Sequence, residues 1–190
     1  MSATLLTIAK DVKIQIEFNP ARVEEYRLMG YENRVLQRED FNNDAVDAGD
    51  IGAGHTVTAL YEIALKGSGG ALTETLRYGQ SATNATLHGD EIAFLRLRYK
   101  QPDGAVSQLL EWPIQRDQAI GHWREASEQF RFAAAVAGFG QKLRGGRYTG
   151  NFGYEEVLTL ARDARGPDPF GYRGEFLTLV RLARSLSLDQ

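Results

Sequence analysis

The sequence contains no cysteine. That absence excludes disulfides, thiolate metal sites and a cysteine nucleophile together, without fixing the compartment. Histidine is scarce. His55, His88 and His122 fall in three separate segments. None has a partner at i+4 or a carboxylate in a zinc-ligand pattern, so each reads as a turn or surface residue. Ser68 and Ser81 lack the Gly-x-Ser-x-Gly elbow that exposes a nucleophile. No apolar run reaches ~18 residues, the length a helix needs to cross a bilayer, and no signal peptide is evident. There is no excess of either charge. The net charge of −3 argues against nucleic acid, because phosphate binding needs a concentrated basic surface. Residues 126–190 hold nine Lys/Arg against seven Asp/Glu, so the C-terminal third is not a charged tail. No internal repeat or low-complexity segment occurs.

What is present is ordinary globular material. The 190 residues are 43% hydrophobic, enough for one ample core or for a sandwich plus a small helical unit. Residues 47–63 organise the front of the chain: a glycine-rich acidic turn runs into an alternating segment. Val57, Ala59, Tyr61 and Ile63 share one face of the strand this predicts, and Thr56, Thr58, Leu60 and Glu62 the other. Residues 11–18 alternate too, with Val12, Ile14, Ile16 and Phe18 expected inward and Lys13, Gln15 and Glu17 in water. Asn19-Pro20 ends that strand. Residues 23–31 read as another. Residues 32–40, with Arg34, Arg38 and Glu39, fit a short helix or an edge strand equally.

Residues 91–115 predict a hairpin. Ile92, Phe94, Leu95, Leu97 and Tyr99 supply its apolar content, and Gln101-Pro-Asp-Gly104 is its turn, with Gly104 expected in the left-handed region. Trp112-Pro113 is expected to close the return strand. Arg96, Arg98 and Lys100 alternate onto a solvated side, where they form either a wet sheet face or an anion-binding stripe. From about Arg124 the period changes to 3.6. Ser127 is placed to cap a helix at 128–143 whose stripe is Phe130, Ala133, Ala134, Ala137 and Leu143. Gly138 and Gly140 lower its helix propensity, which suggests that another backbone approaches there. Asn151 is placed to cap a second helix at 152–165. Asp168 would cap a third, with Pro169 in its first turn and Phe176, Leu177, Val180 and Ala183 buried. Tyr148, Phe152, Tyr154, Phe170 and Tyr172 flank these helix starts and either pack helices onto the sheet or line a groove.

Three aspartates three residues apart, Asp44, Asp47 and Asp50, suggest a calcium loop, since calcium takes six to eight hard oxygens from a flexible segment. The EF-hand spacing is absent. A polar loop whose Asx side chains bond the local backbone is the competing reading. Lys66-Gly-Ser-Gly-Gly70 resembles a phosphate cradle only faintly, because no Gly-Lys-Ser/Thr and no helix start follow. Asn84-Ala85-Thr86 fits a glycosylation sequon, which means little without a secretory context.

Four stretches, 7–20, 47–63, 130–140 and 171–180, resemble in order the C-terminal region that follows the von Willebrand factor type A domain in a family of bacterial envelope proteins. The resemblance covers almost the whole chain. It implies an A domain upstream holding magnesium or calcium through an Asp-x-Ser-x-Ser motif, which this chain lacks, so it transfers no site residue and implies no cofactor here. Residues 1–9 would be the tail entering from that domain, with a larger protein upstream of Met1. The A domain would be inserted into the sandwich, leaving an open sheet edge that invites pairing with another chain.

The expectation is an α+β chain, with an antiparallel β-sandwich at 10–118 and a three-helix subdomain at 119–190 packed on it. The expected function is non-catalytic. The chain would be a scaffold in a bacterial cell-envelope or periplasmic protein, supporting metal-dependent contact between the A domain, its partner in cis, and an unknown protein. The alternative is a sandwich binding module with its own glycan or calcium ligand at the 42–55 loop. A hydrolase has the least support.

Overall fold

In a computed structural model, residues 6–30, 36–73 and 89–188 are described. The chain is α+β. Its described strands form two antiparallel sheets, and three α-helices follow them. It divides into two compact units, Met1–Ala119 and Ile120–Gln190.

The first unit is built on β1 (Thr7–Phe18), the longest strand. It lies between β3 (Gly49–Gly52) and β5 (Glu91–Lys100), and β6 (Gln108–Gln115) completes a sheet of order β3-β1-β5-β6. The acidic turn expected at 47–52 is therefore partly a strand, with Ile51 opposite Ala9. The simple alternation expected in β1 is interrupted. Lys10 pairs with Lys100 but Lys13 with Arg98, so β1 carries one extra residue, a bulge, and Asp11 takes a left-handed φ of 51° within it. Lys13, expected in water, is 4% exposed, and Ile14, expected inside, is 42% exposed. The cause is a cover on the lysine side. A 3-10 helix, Arg38–Asn42, brings the buried Phe41 under Arg98, at 5.8 Å from ring centre to guanidinium carbon. Lys13 Nζ donates to the carbonyls of Asp40 (3.2 Å) and Asn43 (2.5 Å).

The β5–β6 hairpin forms as expected. Gly104 N–H donates to Gln101 O at 2.9 Å, but Gly104 keeps an ordinary φ. Its missing side chain serves a close approach instead: a Cβ there would stand 3.3 Å from that of Gln101. Pro113 does not end β6. It faces Phe94 and pairing continues to Gln115, which an edge strand permits because the missing N–H need not point at β5. Asn19 ends β1 as expected, its Oδ1 accepting from Ala21 N–H at 2.9 Å.

The second sheet pairs β2 (Val23–Leu28) with β4 (Tyr61–Leu65). The strand expected from Thr56 starts only at Tyr61, and His55–Leu60 has no regular structure. Where it exists, its two faces match expectation: Tyr61 lies opposite Leu28 and Ile63 opposite Tyr26. The two sheets meet through Phe18. Its ring lies 4.5 Å from that of Tyr26 and 5.4 Å from that of Tyr61, centre to centre.

In the second unit, α1 (Glu128–Leu143) begins at its expected cap, with Ser127 Oγ accepting from Phe130 N–H at 3.2 Å. Its buried face differs from the expected stripe. Ala135 and Gly138 are buried, whereas Phe130 and Leu143 are exposed. α2 (Tyr154–Asp163) is capped by Gly153 rather than Asn151: Gly153 N–H donates to Glu156 Oε2 at 2.9 Å. α3 runs Tyr172–Leu188, so Pro169 precedes it. Asp168 still closes its start, with Oδ1 accepting from Arg173 N–H and Oδ2 from Gly174 N–H. Ala135, Val157, Leu158, Leu160, Ala161, Leu177 and Val180 form the core of this unit.

Candidate functional site

The acidic loop is held by lysines. Asp11 Oδ2 and Lys100 Nζ pair at 2.6 Å, and Asp11 Oδ1 accepts from Ala48 N–H. Both contacts favour the carboxylate and hold its pKa down at about 2. Lys100 also donates to Asp44 O at 2.9 Å, and its hydrogen bond to Asp11, together with the nearby charges of Asp11, Asp44 and Asp47, raises its pKa. Asp44 Oδ2 accepts from Ser107 N–H, and Asp50 Oδ1 from Asp11 N–H. Two of the three nominated carboxylates, Asp44 and Asp50, thus accept bonds from separate backbone groups. Among the described residues, no three His, Cys, Asp or Glu side chains stand together to hold a metal ion.

The Arg96/Arg98/Lys100 row is likewise committed. Arg96 pairs with Glu111 at 3.1 Å and Arg98 donates to Ser107 Oγ at 2.8 Å, while Lys100 serves the loop. The row secures a covered face instead of presenting three open cations. His122 Nδ1 accepts from Arg124 N–H at 3.1 Å, and Ser68 Oγ from Gly70 N–H at 3.2 Å, so both stabilise local turns. His55 is exposed, while His88, Ser81, Arg34 and the sequon at Asn84 lie outside the described residues. Phe152 and Tyr154 pack against the helical core; Phe170 and Tyr172 are exposed and stack on each other.

The opposite face of the large sheet stands out. Register aligns Ile14–Leu97–Leu110, Ile16–Leu95–Trp112 and Phe18–Ala93–Ile114 in three cross-strand rows. Residues directly opposite each other project to the same face, so the nine side chains form one apolar surface. Burial falls along it. Ala93 is buried in the row where Phe18 meets Tyr26 and Tyr61, whereas Ile14, Leu110 and Trp112 are 42%, 38% and 46% exposed. A contiguous exposed apolar patch marks an interaction surface more often than scattered single residues do. Alternation in residues 11–18 and 91–100 signals this face, but its exposure depends on how little of it the second sheet covers.

The family model described as "Uncharacterized protein YfbK, C-terminal" matches residues 3–186. The chain belongs to that family. It is 49% identical over 187 residues to "Uncharacterized protein YfbK" of Escherichia coli (strain K12), an alignment covering 96% of this chain and 31% of the relative. The chain thus spans about a third of the length of this family member. No solved structure matches.

Proposed function

We propose that this chain is a non-catalytic scaffold that docks, through the exposed end of its apolar sheet face, onto an N-terminal portion of the same polypeptide. That portion would include a von Willebrand factor A domain whose bound magnesium or calcium makes contact with another protein at the bacterial envelope. The observation supporting this reading is the row Ile14–Leu97–Leu110 with the adjoining Trp112, where Ile14, Leu110 and Trp112 stand exposed beside the half-buried Leu97 on a regular sheet. Removing such surface from water is favourable by about 25 cal/mol per Å², and a partner in cis faces a low entropic cost of encounter. The domain sequence resemblance supports the identity of the N-terminal partner. The calcium-module alternative has less support, because Asp44 and Asp50 already accept backbone hydrogen bonds.

The test uses the full-length protein divided in two. Its N-terminal remainder, produced separately, is titrated with this chain in a calorimeter. Saturable binding that Trp112→Glu weakens at least tenfold is expected. Absence of binding, or binding indifferent to Trp112→Glu, would show that the sheet face is not the docking surface.

A further inference from the structure

A second feature of the first unit is independent of that face. A cavity of about 80 Å³ opens where the ends of the two sheets come together, lined by Ala21, Arg22, Leu65, Lys66, Ile92 and Arg116. Three of the six lining residues are cationic and none is acidic. Backbone bonds at the strand ends fix their positions: Lys66 N–H donates to Arg22 O at 2.8 Å, and Arg116 N–H to Asp90 O at 2.9 Å. The Arg22 guanidinium is oriented by Nε donating to Gly89 O at 2.5 Å. Its carboxylate contact among the described residues, Asp90 at 3.4 Å, is long, and the Asp90 side chain is 84% exposed. Neither Lys66 nor Arg116 has an ion-pair partner among the described residues. Ile92 is buried and Leu65 half-buried, so the cavity has an apolar floor beneath an exposed, cationic mouth.

A lining with three cationic residues and no acidic one favours an anion over a cation. We propose that the cavity binds one tetrahedral oxyanion of double charge, either inorganic phosphate or the terminal phosphoryl group of a phosphomonoester. The volume fits. It is several times the ~15 Å³ that a single water needs, which leaves room for a small compact ion. The chemistry fits as well. The Arg116 guanidinium fork can match a pair of oxyanion oxygens, the Arg22 Nη groups left beyond Gly89 can add to it, and a lysine adds a mobile point charge. Asp90 competes for Arg22 and lowers the affinity.

The test is a nitrogen-15 NMR titration of the chain with inorganic phosphate, phenyl phosphate and chloride at matched ionic strength. Saturable millimolar shifts at Arg22, Lys66 and Ile92 are expected with phosphate and not with chloride. Phenyl phosphate binding at least as well as phosphate assigns the site to a phosphomonoester terminus; phosphate binding alone assigns it to the free ion. Lys66→Gln and Arg116→Gln should each weaken binding about fivefold, the upper range for exposed ion pairs. Asp90→Asn should strengthen it. Lys66 and Arg116 are exposed, and unchanged thermal melts of their variants separate lost binding from lost folding. A response equal to that of chloride, or saturation unaffected in both glutamine variants, overturns the proposal.

Discussion

The ring of Phe152 occupies the space beside Gly138 that any larger residue would need. A Cβ on Gly138 would clash with Phe152 Cε1 and lie 3.1 Å from Cδ1. Gly140, two residues on in the same helix, has open space at the equivalent position. A shared sequence signal thus covers two different causes. The expectation that these glycines admit another backbone is corrected: Gly138 admits an aromatic side chain, and Gly140 meets nothing within 4 Å.

Opposite outcomes follow for one substitution. Gly140→Ala should stabilise by about 0.5–1 kcal/mol through helix propensity alone. Gly138→Ala gains the same propensity but forces Phe152 out of place, an overpacking cost of about 1–3 kcal/mol, and should destabilise on balance. Urea unfolding of both variants gives the signs; equal signs would show that Phe152 yields without strain.

Asp11 and Lys100 make stability depend on pH at both ends of the scale. Asp11 ionises at about 2 in the fold against 3.8 ordinarily. Its contribution is therefore complete above about pH 4 and is lost as pH falls through about 2. The Lys100 pKa is raised, so its contribution is present below 10.5 and is lost as pH climbs through the higher folded value. Asp11→Asn removes the charge of the pair without backbone strain, because asparagine tolerates the left-handed φ of this position, and it should weaken both limbs. It should cost about 1–2 kcal/mol at pH 7, allowing for the 18% exposure of the side chain, with the cost shrinking as pH falls through about 2. A pH-independent deficit would mean that the side chain acts through shape instead of charge.

Arg173 joins two helix ends. Its Nη1 donates to the carbonyls of Ala164 and Arg165, both at 2.9 Å, just past the end of α2, while its guanidinium lies over Phe132 at 4.7 Å. A cation there also meets the negative end of the α2 dipole. Arg173→Met retains the stem but loses the bonds, and should cost about 1–3 kcal/mol. Arg173→Lys should fall between, because one ammonium replaces a planar fork. Chemical denaturation of the two variants checks the order.

Helices were legible because the whole pattern lies within each. Ser127 precedes a 3.6-residue period, and the cap and the limits of α1 follow from it. The hairpin was legible for the same reason, its turn residues and both strands being contiguous. Some misses are local, such as the exposed Phe130 and Leu143 of α1 and the Gly153 cap of α2, and others involve distant partners. Nothing near Lys13 in sequence indicates that the carbonyls of Asp40 and Asn43 will cover it. Nothing near Asp44 in sequence indicates that its carboxylate will accept from the Ser107 N–H. The cationic cavity draws its three charges from positions 22, 66 and 116, with no local motif at any of them.

Lys13 gives the sharpest test of that long-range clamp. Its ammonium is buried and held by two carbonyls at the end of the 3-10 helix, beside the buried Phe41. Charged hydrogen bonds of this kind contribute about 1.5–3 kcal/mol, and the carbonyls lose their partner if the donor is removed. Lys13→Met preserves the stem and its packing. It should therefore destabilise by about 2 kcal/mol and, more specifically, release the segment from Arg38 to Asp50. Hydrogen exchange at Asn43 and Val46 amides, whose bonds to Asp40 O and Asn43 O close the same turn, should accelerate more than exchange in the β5–β6 hairpin. Uniform acceleration throughout the unit would mean that Lys13 supports the sheet as a whole, and that the loop is fastened elsewhere.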